Sequence, residues 1–91
     1  MIEKTIEYLN LQNVDPDINE ENHVKYSLTQ AQYAKCFTLL DRNESDWVED
    51  SEALDNSNED IIESSYYNGD YRLLLSADLD KDIYTLEITE E

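Results

Sequence analysis

From residue 61 the chain reads IIESSYY, then Asn68-Gly69, then DYRLLLSA, and no other run restricts the fold as strongly. Asn-Gly between two β-rich segments is the clearest short-range hairpin signal, because both residues adopt positive φ at little cost. A second turn at Asp78-Leu79-Asp80-Lys81 leads into DIYTLEITE, so three strands form a meander at roughly 61–67, 71–77 and 83–89. In the last of them Ile83, Thr85, Glu87 and Thr89 alternate with Tyr84, Leu86 and Ile88. Successive side chains point to opposite faces of a strand, so one face of this sheet is apolar and needs a helix to cover it.

The first half supplies the helices. Residues 2–13, IEKTIEYLNLQN, place Ile2, Ile6 and Leu9 on one helical face; the same stretch also alternates well enough for a strand, and the helix is preferred. Residues 14–23, VDPDINEENH, read as a connection containing Pro16 and several turn formers. Ser27 with Gln30 makes a capping box opening SLTQAQYAKCFTLLD, in which Tyr33, Cys36, Phe37 and Leu40 share a face. The expected fold class is α+β: two or three short helices with a three- or four-stranded, mainly antiparallel sheet. At 91 residues it is a single domain, 1–91.

Between these halves lies an acidic middle, residues 41–60. Its stretch SDWVEDSEALDNSNED holds seven carboxylates and no base. Ser45 is placed to cap a short helix through Asp55, with Trp47, Ser51 and Leu54 along one side and Glu49 and Glu52 pointing away; a loop fits nearly as well. The whole chain has 23 Asp+Glu against 6 Lys+Arg, a formal net charge of -17. Such charge with a mean hydropathy of -0.74 leans toward disorder. Against that, 40% of residues are hydrophobic, seven are tyrosine, and Gly and Pro occur once each, so a folded domain is expected. Self-repulsion at -17 works against a compact state, which suggests that the charge has a use.

Catalytic chemistry is missing. There is no histidine pair, phosphate loop, nucleophile elbow or dinucleotide fingerprint, and one glycine cannot build a phosphate cradle. Among 23 acids some close pair is inevitable, so carboxylate proximity says nothing about acid–base catalysis. No enzyme activity and no cofactor are expected. His23 reads as a surface residue and Cys36 as a small core residue on its helix. Asp78, Asp80 and Asp82 match the first three ligand positions of a calcium loop, but Ile83 stands where glycine is needed and Thr89 where glutamate is, so no metal site is expected. One unpaired cysteine and no long apolar run or basic leader fit a cytoplasmic protein.

Anionic membranes and nucleic acid both repel such a chain, so the expected partner is a basic protein surface, with no direct contact to nucleic acid or membrane. A 91-residue domain is about 30 Å across, and that length of B-DNA carries about 18 phosphates, close to the formal charge of -17. A groove that focuses phosphate attracts either object. The candidate binding residues are the acids Glu44, Asp46, Glu49, Asp50, Glu52 and Asp55, continuing through Glu59, Asp60, Glu63 and Asp70. Trp47 and Tyr67 are the candidate aromatic anchors among them, with Tyr66, Tyr71 and Tyr84 nearby; completion of a thin core is the competing role for Trp47. Asp15, Asp17, Glu20 and Glu21 offer a second acidic pole.

Asp60-Ile61-Ile62 through Tyr67, followed by YRLLLSADLDKDIYTLEIT at 71–89, resembles the C-terminal part of the phage uracil-DNA glycosylase inhibitors. The likeness rests on the Asp-Ile start, Leu73-Leu74, Ser76, Leu86 and Ile88, and covers about a third of the chain. It implies two helices, an antiparallel sheet and occupation of the target's DNA groove. That family uses an acidic edge strand in its first half, for which no motif stands out here. Anti-CRISPR and anti-restriction proteins share the size and acidity. The expected function is therefore a DNA mimic, of phage or mobile-element origin, that inhibits uracil-DNA glycosylase, a CRISPR nuclease or a restriction enzyme in the host cytoplasm. The alternatives are an immunity protein neutralising a basic nuclease toxin, which a neighbouring toxin gene would favour, and a small acidic adaptor. Both a monomer and a homodimer are compatible with the sequence.

Overall fold

The computed structural model describes residues 2–41, 47–49 and 60–90. Helix α1 spans Ile2–Tyr8 and stops because Asn10 turns left-handed, at φ 59. The Leu11 N–H then donates to the Ile6 carbonyl at 2.9 Å and the Asn10 N–H to that of Glu7 at 3.1 Å, closing the helix end. The helix is thus shorter than the expected 2–13: Ile2 and Ile6 pack against the core from its face, and Leu9 and Leu11 enter the core from the turn that follows it.

The predicted connection at 14–23 is corrected. It contains strand β1, Ile18–Glu20, and the first residue of β2, His23–Leu28, and the two form an antiparallel hairpin. The signal was present: Val24, Tyr26 and Leu28 are buried and alternate with His23, Lys25 and Ser27. Because Leu28 is drawn into the sheet opposite Tyr84, the capping box moves two residues from its predicted place. Thr29, not Ser27, caps α2, which spans Gln30–Leu40. The Thr29 hydroxyl accepts from the Gln32 N–H at 3.1 Å, and the Gln32 side chain accepts from the Thr29 N–H at 2.8 Å. Cys36 and Leu40 are buried and Tyr33 lies against Tyr84 with ring centroids 5.1 Å apart. Phe37, predicted to share that face, sits at its rim and is 40% exposed.

The remaining strands are β3 (Val48–Glu49), β4 (Ile61–Asn68), β5 (Tyr71–Asp78) and β6 (Ile83–Glu90). The predicted meander is therefore present, each strand one residue longer than expected. Its first turn is shifted by one: Asn68 is the last strand residue, paired with Tyr71, and the loop is Gly69-Asp70 with Gly69 at φ 60. A glycine at the first loop position takes that φ without steric cost. The fold is α+β as expected, but the sheet has six antiparallel strands, not three or four, in the order β1-β2-β6-β5-β4-β3. The N-terminal hairpin extends the meander on one side and β3 extends it on the other. These short additions depend on partners far away in the chain, which local pattern does not reveal.

Helix α2 crosses one face of the sheet, over β2, β5 and β6. That face contributes Val24, Tyr26, Tyr66, Leu73, Leu75, Ala77, Tyr84, Leu86 and Ile88 to the core. Among the described residues the buried polar side chains are Thr5 and Ser64, and no charged residue is buried.

Candidate functional site

Six of the predicted binding residues lie within the described chain: Trp47, Glu49, Asp60, Glu63, Tyr67 and Asp70. Glu44, Asp46, Asp50, Glu52, Asp55 and Glu59 lie outside the described residues, as does most of the predicted Ser45–Asp55 helix. Where that segment is described, Val48–Glu49 is a strand and not a helix.

Trp47 takes the core role that the sequence offered beside that of an anchor. It is 6% exposed, and its indole N–H donates to the Thr5 hydroxyl on α1 at 3.1 Å. Tyr66 and Tyr84 are buried as well. Tyr67 is 41% exposed, because neighbouring strand residues face opposite ways and Tyr66 takes the core side. Cross-strand pairing sets Val48 opposite Tyr67, and Tyr67 opposite Arg72.

The acids do not gather on one side. Asp60 immediately precedes β4 and Asp70 lies in the turn after it, so eight strand residues separate them. That is a span of about 26 Å. Around Asp60 are Asp78, Asp80 and Asp82 of the β5–β6 loop; the Leu79 N–H donates to the Asp60 carbonyl at 2.8 Å and the Lys81 N–H to Asp78 Oδ1 at 3.2 Å. Around Asp70 are Glu90, in register with Tyr71, and the β1–β2 turn with Glu20 and Glu21; the Glu90 N–H donates to the Asn22 carbonyl at 2.9 Å. The two acidic poles thus sit at opposite ends of the strands; of the suggested second pole Glu20 and Glu21 lie here, whereas Asp17 lies at the other end of β1, beside Ser27. β1, flanked by Asp17 and Glu21 and carrying Glu20, is an acidic edge strand in the first half of the chain.

The strand-rich face away from the helices is mixed in charge. By the pairing register it carries Glu20, Glu63, Asp78 and Glu87 beside His23, Lys25 and Arg72. His23 is not in a connection: its Nε2 lies 2.5 Å from Glu87 Oε2, across β2 and β6. Asp17 accepts a hydrogen bond from the Ser27 hydroxyl, which ties the start of β1 to β2.

On the helix side two acids converge on one tyrosine. Burial first, then the Glu49 and Asp41 carboxylates, push the Tyr66 hydroxyl up to about 12. Tyr71 is raised too, by desolvation and then by Glu90 and Asp70. Cys36, the predicted core cysteine, is buried and its thiol is pushed up to about 11, mainly by desolvation, so it is a poor nucleophile.

Among the described residues no group of three or more His, Cys, Asp or Glu side chains is placed to hold a metal ion. No described helix is long and apolar enough to cross a membrane. The chain matches no family model, no curated protein and no solved structure. Sequence reasoning missed Asp41 and Val48; Val48 becomes visible only once β3 is paired to β4.

Proposed function

We propose that this protein is an acidic DNA mimic that binds and inhibits a DNA-binding enzyme by occupying its basic nucleic-acid groove. The observation that carries this reading is a net charge of -17 on a body whose described buried positions hold no charged side chain. The carboxylates of the described residues are therefore displayed at the surface of a packed sheet and helix. The body is 32 Å in its longest extent, a length over which B-DNA displays about 19 phosphates. Its radius of gyration, 12.3 Å, is that of a compact chain of this size.

Two further features support the reading. The acidic poles stand at the ends of paired strands, so their separation is held by backbone hydrogen bonds. The arrangement of two helices on an antiparallel sheet with an acidic edge strand, β1, agrees with the resemblance to uracil-DNA glycosylase inhibitors. Uracil-DNA glycosylase, a CRISPR nuclease and a restriction enzyme are the targets to try first, and the host cytoplasm is the setting in which such an inhibitor acts.

The test is capture followed by competition. The full chain is immobilised, lysate is passed over it, and proteins released by rising salt are identified and challenged with duplex DNA. The expected result is a basic nucleic-acid-binding enzyme that duplex DNA displaces and whose activity the free protein blocks. A partner indifferent to DNA, or recovery of no nucleic-acid-binding protein, refutes the proposal.

A further inference from the structure

The sheet face away from the helices has an unusual composition for a surface of so acidic a chain. By the register it carries six apolar side chains, Ile18, Val48, Ile61, Tyr67, Leu74 and Ile83, spread over five of the six strands. Val48, Ile83 and Tyr67 are 51%, 49% and 41% exposed. Charge on β2, β6, β5 and β4 is nearly balanced there: Glu63, Asp78 and Glu87 stand beside Lys25 and Arg72, with His23 against Glu87. A basic partner would meet Lys25 and Arg72 on this face, and an acidic one is repelled by a body of charge -17. The surface that fits is one with the same mixture of apolar, acidic and basic groups.

The order of those groups is self-complementary. Along β5 the open side reads Arg72, Leu74, Ser76, Asp78, and β4 runs beside it as Tyr67, Ser65, Glu63, Ile61. A two-fold axis crossing the strands between Leu74 and Ser76 lays a second copy over the first. Arg72 of each copy then meets Asp78 of the other, Leu74 meets Ser76, and Tyr67 meets Ile61. On the strands alongside, Glu87 meets Thr85 and Lys25 meets Ser27, so no two like charges face each other. Sheets packed in this way lie about 10 Å apart with strands within about 30°, a gap that an arginine side chain reaches across. The four central strands offer about 27 by 19 Å, or about 1,000 Å² over two copies, the size at which a specific interface begins.

We infer that the open face packs against the same face of a second copy, as a two-fold dimer in which Arg72 pairs with Asp78 across the interface. The acidic poles stay at the ends of the strands, where those of the two copies approach each other, so the dimer forms against a repulsion that salt screens. This dimer is independent of the inhibitor reading, and salt separates the two: it strengthens self-association and weakens binding to a basic groove.

Sedimentation equilibrium of the full chain at low and moderate salt provides the test. The parent should form a reversible dimer in the micromolar range that tightens as salt rises. Arg72→Asp and Asp78→Arg each set like charges face to face twice in a homodimer, so each alone should weaken association roughly tenfold or more. An equimolar mixture of these two variants makes every such pair opposite again and should dimerise as the parent does. Leu74→Lys, beside the axis, should weaken association as well, and it leaves in place the Asp78 carboxylate that accepts from the Lys81 N–H at 3.2 Å. Thermal melting of each variant reports whether the fold is kept.

A parent that stays monomeric at every concentration and salt overturns the inference. So do variants that associate as the parent does, or a mixture that associates no better than its components. If D78R does not fold, R72D and L74K decide the matter, and parent-like association of either one overturns the inference.

Discussion

The same strands build both faces of the sheet, yet the two faces differ in nearly every chemical respect. The helix side holds Leu75, Leu86 and Ile88, each at 0% exposed, and excludes charge from its buried positions. On the open side Lys25 faces Glu87, Ser76 faces Thr85 and Glu63 faces Ser76. A two-residue alternation performs the separation: it sends Leu73, Leu75, Ala77, Tyr84, Leu86 and Ile88 to the helix side, and Arg72, Ser76, Thr85 and Glu87 to the open side, where Leu74 and Ile83 also lie. The chain tolerates a net charge of -17 because of this sorting, and the described core is as apolar as that of a neutral domain. Stability therefore comes mainly from one face.

The largest expected effect tests that division directly. Leu86→Ala should cost about 2–5 kcal/mol in urea unfolding, while Thr85→Ala, its neighbour on the other face, should stay within about 0.5 kcal/mol. Similar costs for both would mean that the two faces are not energetically distinct.

Trp47→Phe comes next, at about 1–3 kcal/mol, because it removes the indole donor to Thr5 and leaves part of a buried site unfilled. A neutral result would return Trp47 to the surface. Thr29→Ala should cost about 1 kcal/mol, against a few tenths for Ser27→Ala, which separates the observed capping box from the one the sequence suggests.

An alkaline limb sharpens the picture of the helix side. The Cys36 thiol rises from 9.0 to about 11 and the Tyr66 hydroxyl from 10.0 to about 12. Both groups ionise less readily in the folded chain than in the unfolded one. Their contribution is therefore fully present below their ordinary values and is lost as pH climbs, between 9.0 and about 11 for Cys36 and between 10.0 and about 12 for Tyr66. Denaturant midpoints measured across this range should fall, and Cys36→Ala should flatten the lower part of the fall. Smallest of all is the response to salt. Screening of the acidic poles should raise Tm by about 2–5 °C between low and moderate salt, and no rise would mean that the poles do not repel.

How much of this was legible in the sequence follows from the range of the forces involved. Residues 61–90 were read nearly to the residue, because turn chemistry at Gly69 and alternation from Tyr84 to Ile88 are local signals. The acids of β1 and its turn were visible as a second pole, although the strand itself was not. The site was less legible than the fold. Trp47 and Tyr67 were both candidate anchors, with a core role open for Trp47, and the structure supplies its buried partner, Thr5, 42 positions away in the chain.

By itself the sequence determined the α+β class, the meander, the helical tendency of both amphipathic stretches and the excess of negative charge. Only the tertiary structure decided that the sheet has six strands, that Asp60, Asp78, Asp80 and Asp82 stand at one end of the strands with Glu20, Glu21, Asp70 and Glu90 at the other, and that Val48 stands beside Tyr67. The reason is physical. Propensity, capping and alternation act over a few neighbouring residues, whereas strand order and edge pairing are chosen by surfaces that meet only after the chain has folded.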